Sequence, residues 1–529
     1  MAYTIDQIII TRNSNTSIKS IVKSTLRFNL YNLISRILAI PKGIIVAALI
    51  IPENYGIISI VQLVMFYMTM VVPGFTTVAF RRIPGLYVKE EFNKIKELQD
   101  KTLTVDLLFS TLYSLLVFLF PFFVSIDYRI KIGLIFISFT FILSRFSFYF
   151  RNYAMAIQKF KIAADASLIE STFPILFVLL TIYWLGLYSL YISDLLTVVI
   201  LYFYYRNKLK ININYKFDYN FIKKIFIESL VLQGQTITFW FSKMLDRTFA
   251  SIYFNFHQLG VYSFASNYMN QALTFLNQLG QVMQPIFWSN AAKAEKKEYA
   301  FESAIRLSIF LAFVSSLVVP FIQSIMFYLT VVLMRNYVSA LSILNILTLY
   351  IPLLTIVTIP NLILNSTVVN KQNLSLLIWF LSLLSGIILL MVFINIHMSL
   401  ENIAYAIVVN QLLNTVINYF IIVRYLPPNG RNNILNYFAI ILPIILTTLL
   451  TLFFTNLIKY ENFIINIPLN YSKIEKAIYL LYNSDKIALV SLKYIVITIF
   501  SFLILYLAIH RKYFPLKFSI NFLKSNNYK

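Results

Sequence analysis

Long apolar runs, each near 20 residues and separated by short polar loops, dominate the chain. At a rise of about 1.5 Å per residue, such a run crosses a hydrocarbon core of about 30 Å as a helix. The runs fall at about 28–51, 55–80, 103–124, 130–150, 166–185, 187–205 and 225–249, then at about 260–288, 307–330, 341–364, 374–396, 402–423, 434–458 and 487–510. The pattern predicts an all-α polytopic membrane protein with about 14 transmembrane helices. The boundaries are least distinct at the tight pair near residue 186 and at the stretch near 330–340. Residues 1–25 are polar, with no apolar core ahead of a small-residue cleavage site, so the first membrane helix is expected to be retained rather than removed as a signal peptide.

Lys and Arg set the orientation, because short cytoplasmic loops collect them. With the N-terminus inside, about 31 of the 44 lie on the inner side and about 8 on the outer side, half of those in the loop 459–486. Five more (Arg36, Lys42, Arg145, Lys243 and Lys493) lie within apolar runs. The bias predicts both termini inside and an even number of spans.

The chain carries a short internal echo. The second run opens with Asn54-Tyr55-Gly56-Ile57-Ile58-Ser59-Ile60 and the eighth with Gln258-Leu259-Gly260-Val261-Tyr262-Ser263-Phe264, so Gly and Ser keep one spacing. Both segments begin an inward-running helix, six helices apart. Repeats in the same orientation imply two parallel six-helix bundles related by an axis along the membrane normal. The expected organisation is a cytoplasmic segment 1–25, lobes 26–224 and 225–423, two appended transmembrane helices in 424–510, and a basic cytoplasmic tail 511–529.

Composition agrees: 59% of residues are hydrophobic, 12% are charged and mean hydropathy is +0.76, which excludes a water-soluble fold. A net charge of +23 on a soluble chain would suggest nucleic acid, but here the basic residues sit in short loops and read as topology signals, so no nucleic-acid partner is expected. The chain has no cysteine, hence no disulfide, thiolate metal site or cysteine nucleophile. No Walker A or GxGxxG pattern occurs among the eleven glycines, and none of the three histidines (His257, His397 and His510, all at helix ends) has zinc-hydrolase spacing. Asp106, Glu170, Asp194 and Glu228 stand on separate helices with no paired carboxylate. No enzyme and no cofactor is expected.

Charged and amide residues inside apolar runs carry the functional signal, since a charge at a helix centre costs on the order of 3 kcal/mol even on lenient scales. Arg36 and Lys42 flank Pro41 in the first run, and Pro41-Lys42-Gly43 predicts a broken helix that would present both cations to one cavity. The competing reading has Arg36 snorkelling and Lys42 paired with a carboxylate such as Asp194. In the seventh run Gln233, Thr236, Trp240, Lys243 and Arg247 form one face, with Asp246 placed to pair with Lys243. The eighth run carries a longer stripe: Asn267, Asn270, Gln271, Thr274, Asn277, Gln278, Gln281 and Gln284. Amides facing lipid would be unsatisfied, so this stripe is expected to wall a wet cavity. Asn410, Asn414 and Asn418 divide evenly between helix-packing glue and cavity wall. Arg145 is expected to snorkel near the inner end.

At these residues the chain resembles the Wzx-type O-antigen and capsule repeat-unit flippases of the multidrug/oligosaccharidyl-lipid/polysaccharide exporter superfamily. The likeness rests on Leu49-Ile50-Ile51-Pro52-Glu53-Asn54-Tyr55-Gly56, on Ala79-Phe80-Arg81-Arg82, on Asp246-Arg247, and on Leu259-Gly260-Val261-Tyr262-Ser263 with Pro285. It implies a cationic central cavity and alternating access that moves an undecaprenyl-pyrophosphate-linked oligosaccharide across a bacterial cytoplasmic membrane. Arg36, Lys42, Lys243 and Arg247 are then candidates for the pyrophosphate. The polar positions of the seventh and eighth runs (Gln233, Thr236, Trp240, Asn267, Asn270, Gln271, Thr274, Asn277, Gln278 and Gln281) are candidates for the cavity wall. The implied partners are the lipid-linked oligosaccharide, membrane lipids, and a polysaccharide polymerase with its chain-length regulator.

Two rivals remain at this stage. A cation-coupled drug exporter of the same superfamily would want a carboxylate-rich cavity, whereas the deep charges here are mostly Arg and Lys. A polysaccharide polymerase or ligase would want a large outer catalytic domain, and the outer loops are short.

Overall fold

The computed structural model of the chain describes residues 42–157, 159–209, 214–273, 325–364 and 372–423, with isolated positions at 315, 319, 322 and 323. Regular structure among them is entirely helical. The chain forms two compact units, Met1–Ser263 and Phe264–Lys529.

In the first unit the helices are α1 (Pro52–Val71), α2 (Phe75–Val88), α3 (Phe92–Phe123), α4 (Tyr128–Ala156), α5 (Phe160–Leu185), α6 (Tyr188–Leu209) and α7 (Tyr219–Tyr253). The opening turns of α8 (256–273) belong to it as well. α4 is the hub, packing on α1, α3, α5 and α6, while α7 packs along α1 and α2. Eight helices among the described residues are long and apolar enough to cross a membrane, coinciding with the second to sixth and tenth to twelfth predicted runs. The 35-residue α7 is not among them, because its polar face dilutes its hydropathy. Leu112, Leu116, Phe120 and Phe123 line one outward face of α3, and Leu176, Leu180 and Tyr183 one of α5. Apolar faces this extensive suit lipid rather than water.

The predicted single helix over 55–80 is broken. Val72 turns extended (φ −70°, ψ 122°) and α2 restarts at Phe75. Pro73 explains it, since it has no N–H to donate and its ring would collide with the carbonyl of Thr69. The tight pair near 186 is resolved as expected: α5 ends at Leu185, and Gly186 turns the chain at φ +53°, where a side chain would be strained. α3 reaches 32 residues and α7 35, well beyond the predicted runs, and both project past the hydrocarbon thickness.

α1 and α8 cross at their opening turns with equivalent positions in register. A Cβ on Gly56 would collide with the carbonyl oxygen of Phe256, and one on Gly260 with that of Pro52. One turn further on, the Ser59 and Ser263 hydroxyls share a buried hydrogen bond of 2.7 Å. Partners 52 with 260, 56 with 256 and 59 with 263 are possible only for helices running the same way. The two copies of the sequence echo therefore pack on each other about a local two-fold, and glycine is what lets their backbones meet.

At the same end, Arg129 ties α4 to the start of α1. It donates to Glu53 Oε1 and Asn54 Oδ1 at 2.8 Å each and to Asp127, which also caps α4 by accepting from the Arg129 N–H. At the other end, Lys101 of α3 bridges Glu97 and Asp218 at 2.6 Å each, and Asp218 caps α7 through the Phe221 N–H. Arg82 of α2 meets Glu228 of α7 at 2.5 Å.

In the second unit a 3₁₀ turn at Arg335–Tyr337 leads into α9 (Ala340–Thr348) and α10 (Tyr350–Leu364), followed by α11 (Gln372–Ile396) and α12 (Leu400–Val423). The division between α9 and α10 has a simple source: Pro352 cannot donate to the Thr348 carbonyl. Gln323 donates to the Thr348 hydroxyl at 2.8 Å. Asn410 donates to the Ser382 carbonyl and accepts from Ser385, and Asn418 donates to Asn414. For Asn410 this resolves the alternatives in favour of glue, bonding α12 to α11.

Candidate functional site in the first unit

The break between α1 and α2 leaves the last carbonyls of α1 without helical donors. Gln233 on α7 supplies one, its side-chain amide donating to the Met70 carbonyl at 2.8 Å and reaching the Thr69 carbonyl at 3.4 Å. Gly74 allows this approach, since a Cβ there would press on the Ser229 carbonyl oxygen at 3.0 Å. Beside the break lies a cavity of about 520 Å³ walled by α1, α2, α4, α5, α6 and α7.

Its polar lining comes from side chains at helical spacing. On α4, Ser144, Ser147 or Phe148, and Arg151 recur every three to four residues, with Arg145 adjoining. Arg145 is held by Asp106 of α3 through two hydrogen bonds, Nε to Oδ2 at 3.0 Å and Nη2 to Oδ1 at 2.6 Å, and its guanidinium lies 5.2 Å from the Phe148 ring centroid. Arg151 pairs with Glu170 of α5 at 3.2 Å. Across the cavity stand Gln233 and Trp240 of α7, the indole edge-on to Phe66 at 5.7 Å. Two guanidinium groups, an amide and an indole face one volume.

Of the residues singled out in the sequence, Gln233 and Trp240 line this cavity, while Lys42, Lys243 and Arg247 do not. Lys42 instead lies within electrostatic reach of Asp194. Lys243 sits over the Phe239 ring at 5.1 Å. Arg247 is buried, and its neighbour Asp246 accepts a 3.0 Å hydrogen bond from Tyr262. Thr236 belongs to α7, but its side chain, like Arg36, Thr274, Asn277, Gln278, Gln281 and Gln284, lies outside the described residues. Asn267, Asn270 and Gln271 are partly exposed on α8 in the second unit. Sequence reasoning placed Arg145 in the headgroups and left Asp106 and Glu170 isolated. All three are engaged in or beside the cavity, and the readable signal was the three-to-four-residue recurrence of Ser144, Ser147 and Arg151.

A second cleft of about 590 Å³ lies where α2, α3 and α7 meet, lined by Arg82, Lys89, Lys94, Lys101 and Glu97 beside Phe221. The Lys101 ammonium pulls the Glu97 and Asp218 carboxyls below their ordinary values by hydrogen bonding and charge, and these partners hold the Lys101 ammonium above its own. Among the described residues no cluster of His, Cys, Asp and Glu has a metal-binding arrangement.

Helices of membrane length around an arginine-bearing cavity define a multi-pass membrane protein. Residues 21–291 match the family described as polysaccharide biosynthesis protein. That is just over half of the 529 residues, and the chain belongs to this family. The fold is similar to that of the lipid II flippase MurJ in an inward closed conformation, with TM-score 0.66 and 16% identity over 92% of this chain and 98% of that one. It is also similar to a multidrug resistance MATE family transporter of the MOP superfamily. The inward-facing form gives TM-score 0.58 and 13% identity over 75% of this chain and 93% of that one. The outward-facing form gives TM-score 0.55 and 12% identity over 78% and 98%. At these identities the likeness is one of fold. No curated protein sequence matches the chain. The expected kinship holds at the level of the polysaccharide biosynthesis family and of the fold.

Proposed function

We propose that the protein is a flippase that carries an undecaprenyl-pyrophosphate-linked oligosaccharide repeat unit across a bacterial cytoplasmic membrane by alternating access, for a surface polysaccharide such as O-antigen. The observation that carries this reading is the first-unit cavity, where Arg145 and Arg151 share one volume with Gln233 and Trp240. Guanidinium groups match phosphate oxygens, and amide and indole match the hydroxyls and flat apolar faces of a sugar. About 520 Å³ is room for a few sugar or phosphate units. The work required is physical: a pyrophosphate cannot enter hydrocarbon unaided, whereas its polyprenyl tail stays in the bilayer while the polar head passes through a cationic slot. No bond is made or broken.

In this reading the lobes are 26–224 and 225–423 with both termini in the cytoplasm, and Arg36, Lys42, Lys243 and Arg247, with the amides of α8, extend the polar path. A polymerase and chain-length partner would take the flipped unit. The drug-exporter alternative is disfavoured because Glu170, the one carboxylate among the described residues that line the cavity, is already engaged by Arg151.

The test is deletion of the gene in its native strain. Lipid-linked repeat units are expected to accumulate in the inner leaflet while surface glycan disappears. Wild type should reverse both, whereas neither an Arg36→Ala/Lys42→Ala nor an Arg145→Gln/Arg151→Gln double variant should. Unchanged surface glycan in the deletion strain would sink the flippase and bring the drug exporter forward.

A further inference from the structure

We infer that the first turn of α2 is a phosphate-binding site inside the cavity, with Thr76 and Arg145 as its side-chain donors. The inference rests on the flippase reading only for what carries the phosphate.

α2 is a 14-residue helix that begins in the cavity wall, because Pro73 ends α1 there. Its first turn brings the positive end of the helix dipole and its unbonded N–H groups. The N–H of Phe75 is taken by the Pro73 carbonyl and that of Val78 by the Gly74 carbonyl. Those of Thr76 and Thr77, both cavity-lining residues, have no backbone acceptor among the described residues.

Thr76 supplies the independent sign of a ligand. It is only 1% exposed, it lines the cavity, and its hydroxyl has no hydrogen-bond partner among the described residues. Membrane helices ordinarily satisfy such a hydroxyl on the carbonyl three or four residues back, as Ser144 does on Phe141 and Thr69 on Phe66. At Thr76 that route is closed, since Val72 and Pro73 have left the helix. A buried hydroxyl without a partner is destabilising, so a site that keeps one in a cavity wall is built for something that fills it.

Arg145 completes the donor set. Asp106 occupies Nε and Nη2, fixing the guanidinium plane and leaving Nη1 with no partner among the described residues. Two N–H groups, a hydroxyl and a guanidinium edge are donors, which favours a group with several acceptor oxygens and no need to donate. Phosphate meets that description; a neutral sugar, which must also donate, does not.

The experiment uses the full-length protein in nanodiscs of zwitterionic lipid, titrated calorimetrically with inorganic pyrophosphate. Saturable binding is expected. Thr76→Val, nearly isosteric and without the hydroxyl, should weaken it about tenfold, the worth of one hydrogen bond to a charged group. Arg145→Lys keeps a cation for Asp106 but lacks the free guanidinium edge, and it should weaken binding to a similar degree. Far-UV circular dichroism and thermal unfolding check that both variants are folded. No saturable binding by wild type, or equal affinity in wild type and a folded Thr76→Val protein, would overturn the inference. A parallel titration in nanodiscs containing undecaprenyl phosphate separates the sources. Loss of pyrophosphate affinity there identifies a lipid-borne phosphate as occupant, and unchanged affinity identifies a free phosphate. Thr76-dependent binding alongside unchanged surface glycan in the deletion strain would leave the phosphate site standing and remove the flippase.

Discussion

Arg145 and Asp106 form a two-point ion pair between α4 and α3, with the aspartate side chain 1% and the arginine 11% exposed. Neither charge is tolerable alone at that depth, so removing one partner strands the other. Asp106→Asn or Arg145→Ala is expected to cost about 3–5 kcal/mol of stability, whereas the double replacement Asp106→Leu/Arg145→Met should recover much of it. Thermal unfolding of the purified variants in one detergent measures both. Equal loss in the single and double variants would mean that the pair contributes through packing and not charge.

The crossing of α1 and α8 leaves no room for a methyl group at either glycine. Gly56→Ala and Gly260→Ala should each destabilise the protein by about 1–3 kcal/mol, as over-packing does elsewhere. Since the chain has no cysteine, Ser59→Cys/Ser263→Cys provides a clean crosslinking pair. Oxidant should join the two helices in the double variant only, detected as a mobility shift after cleavage of the chain between them. If the helices part during transport, the crosslinked protein should also lose flipping until reduced.

Gln233 is expected to have two separable roles. Gln233→Leu removes the donor to the Met70 carbonyl and should cost on the order of 1 kcal/mol in thermal stability. Gln233→Glu loses the same donor and adds a negative charge to the cavity. A transport defect much larger in Glu than in Leu, at matched stability, would mark the position as one that an anion passes.

Acid should loosen the α1–α4 clamp. Hydrogen bonding to Arg129 holds the Asp127 carboxyl below its ordinary value of 3.8. With the folded value depressed, its contribution is fully present above the unfolded value and is lost as pH falls through the folded one. Melting temperatures recorded from pH 7 down to 3 should therefore fall at the acid end. Asp127→Asn should be less stable at pH 7 and show a smaller acid-dependent fall, and parallel curves for the two proteins would contradict this.

Much of the helical layout was legible because each span is a long run of one character and the hydrocarbon thickness fixes its length. The Gly56-Ser59 and Gly260-Ser263 echo was legible too, and it predicted two helices running the same way, which is how α1 and α8 meet. The break at Pro73-Gly74 was readable but overlooked, since Val71-Val72 and Phe75 keep the run apolar on either side. Gln233 and Trp240 emerged from helical spacing. Arg145 did not, because depth along a helix cannot tell a side chain that reaches for headgroups from one held by Asp106, 39 residues away. Partners that far apart are brought together only by the packing of α3 against α4.

The glycine crossing has a consequence for the substitutions the chain can accept. At this seam each helix presses on the other's backbone, so the two positions constrain each other: enlarging residue 56 requires moving Phe256, and enlarging residue 260 requires moving Pro52. Mutual steric constraint holds both positions to glycine, which accounts for an echo confined to the opening turns of two helices.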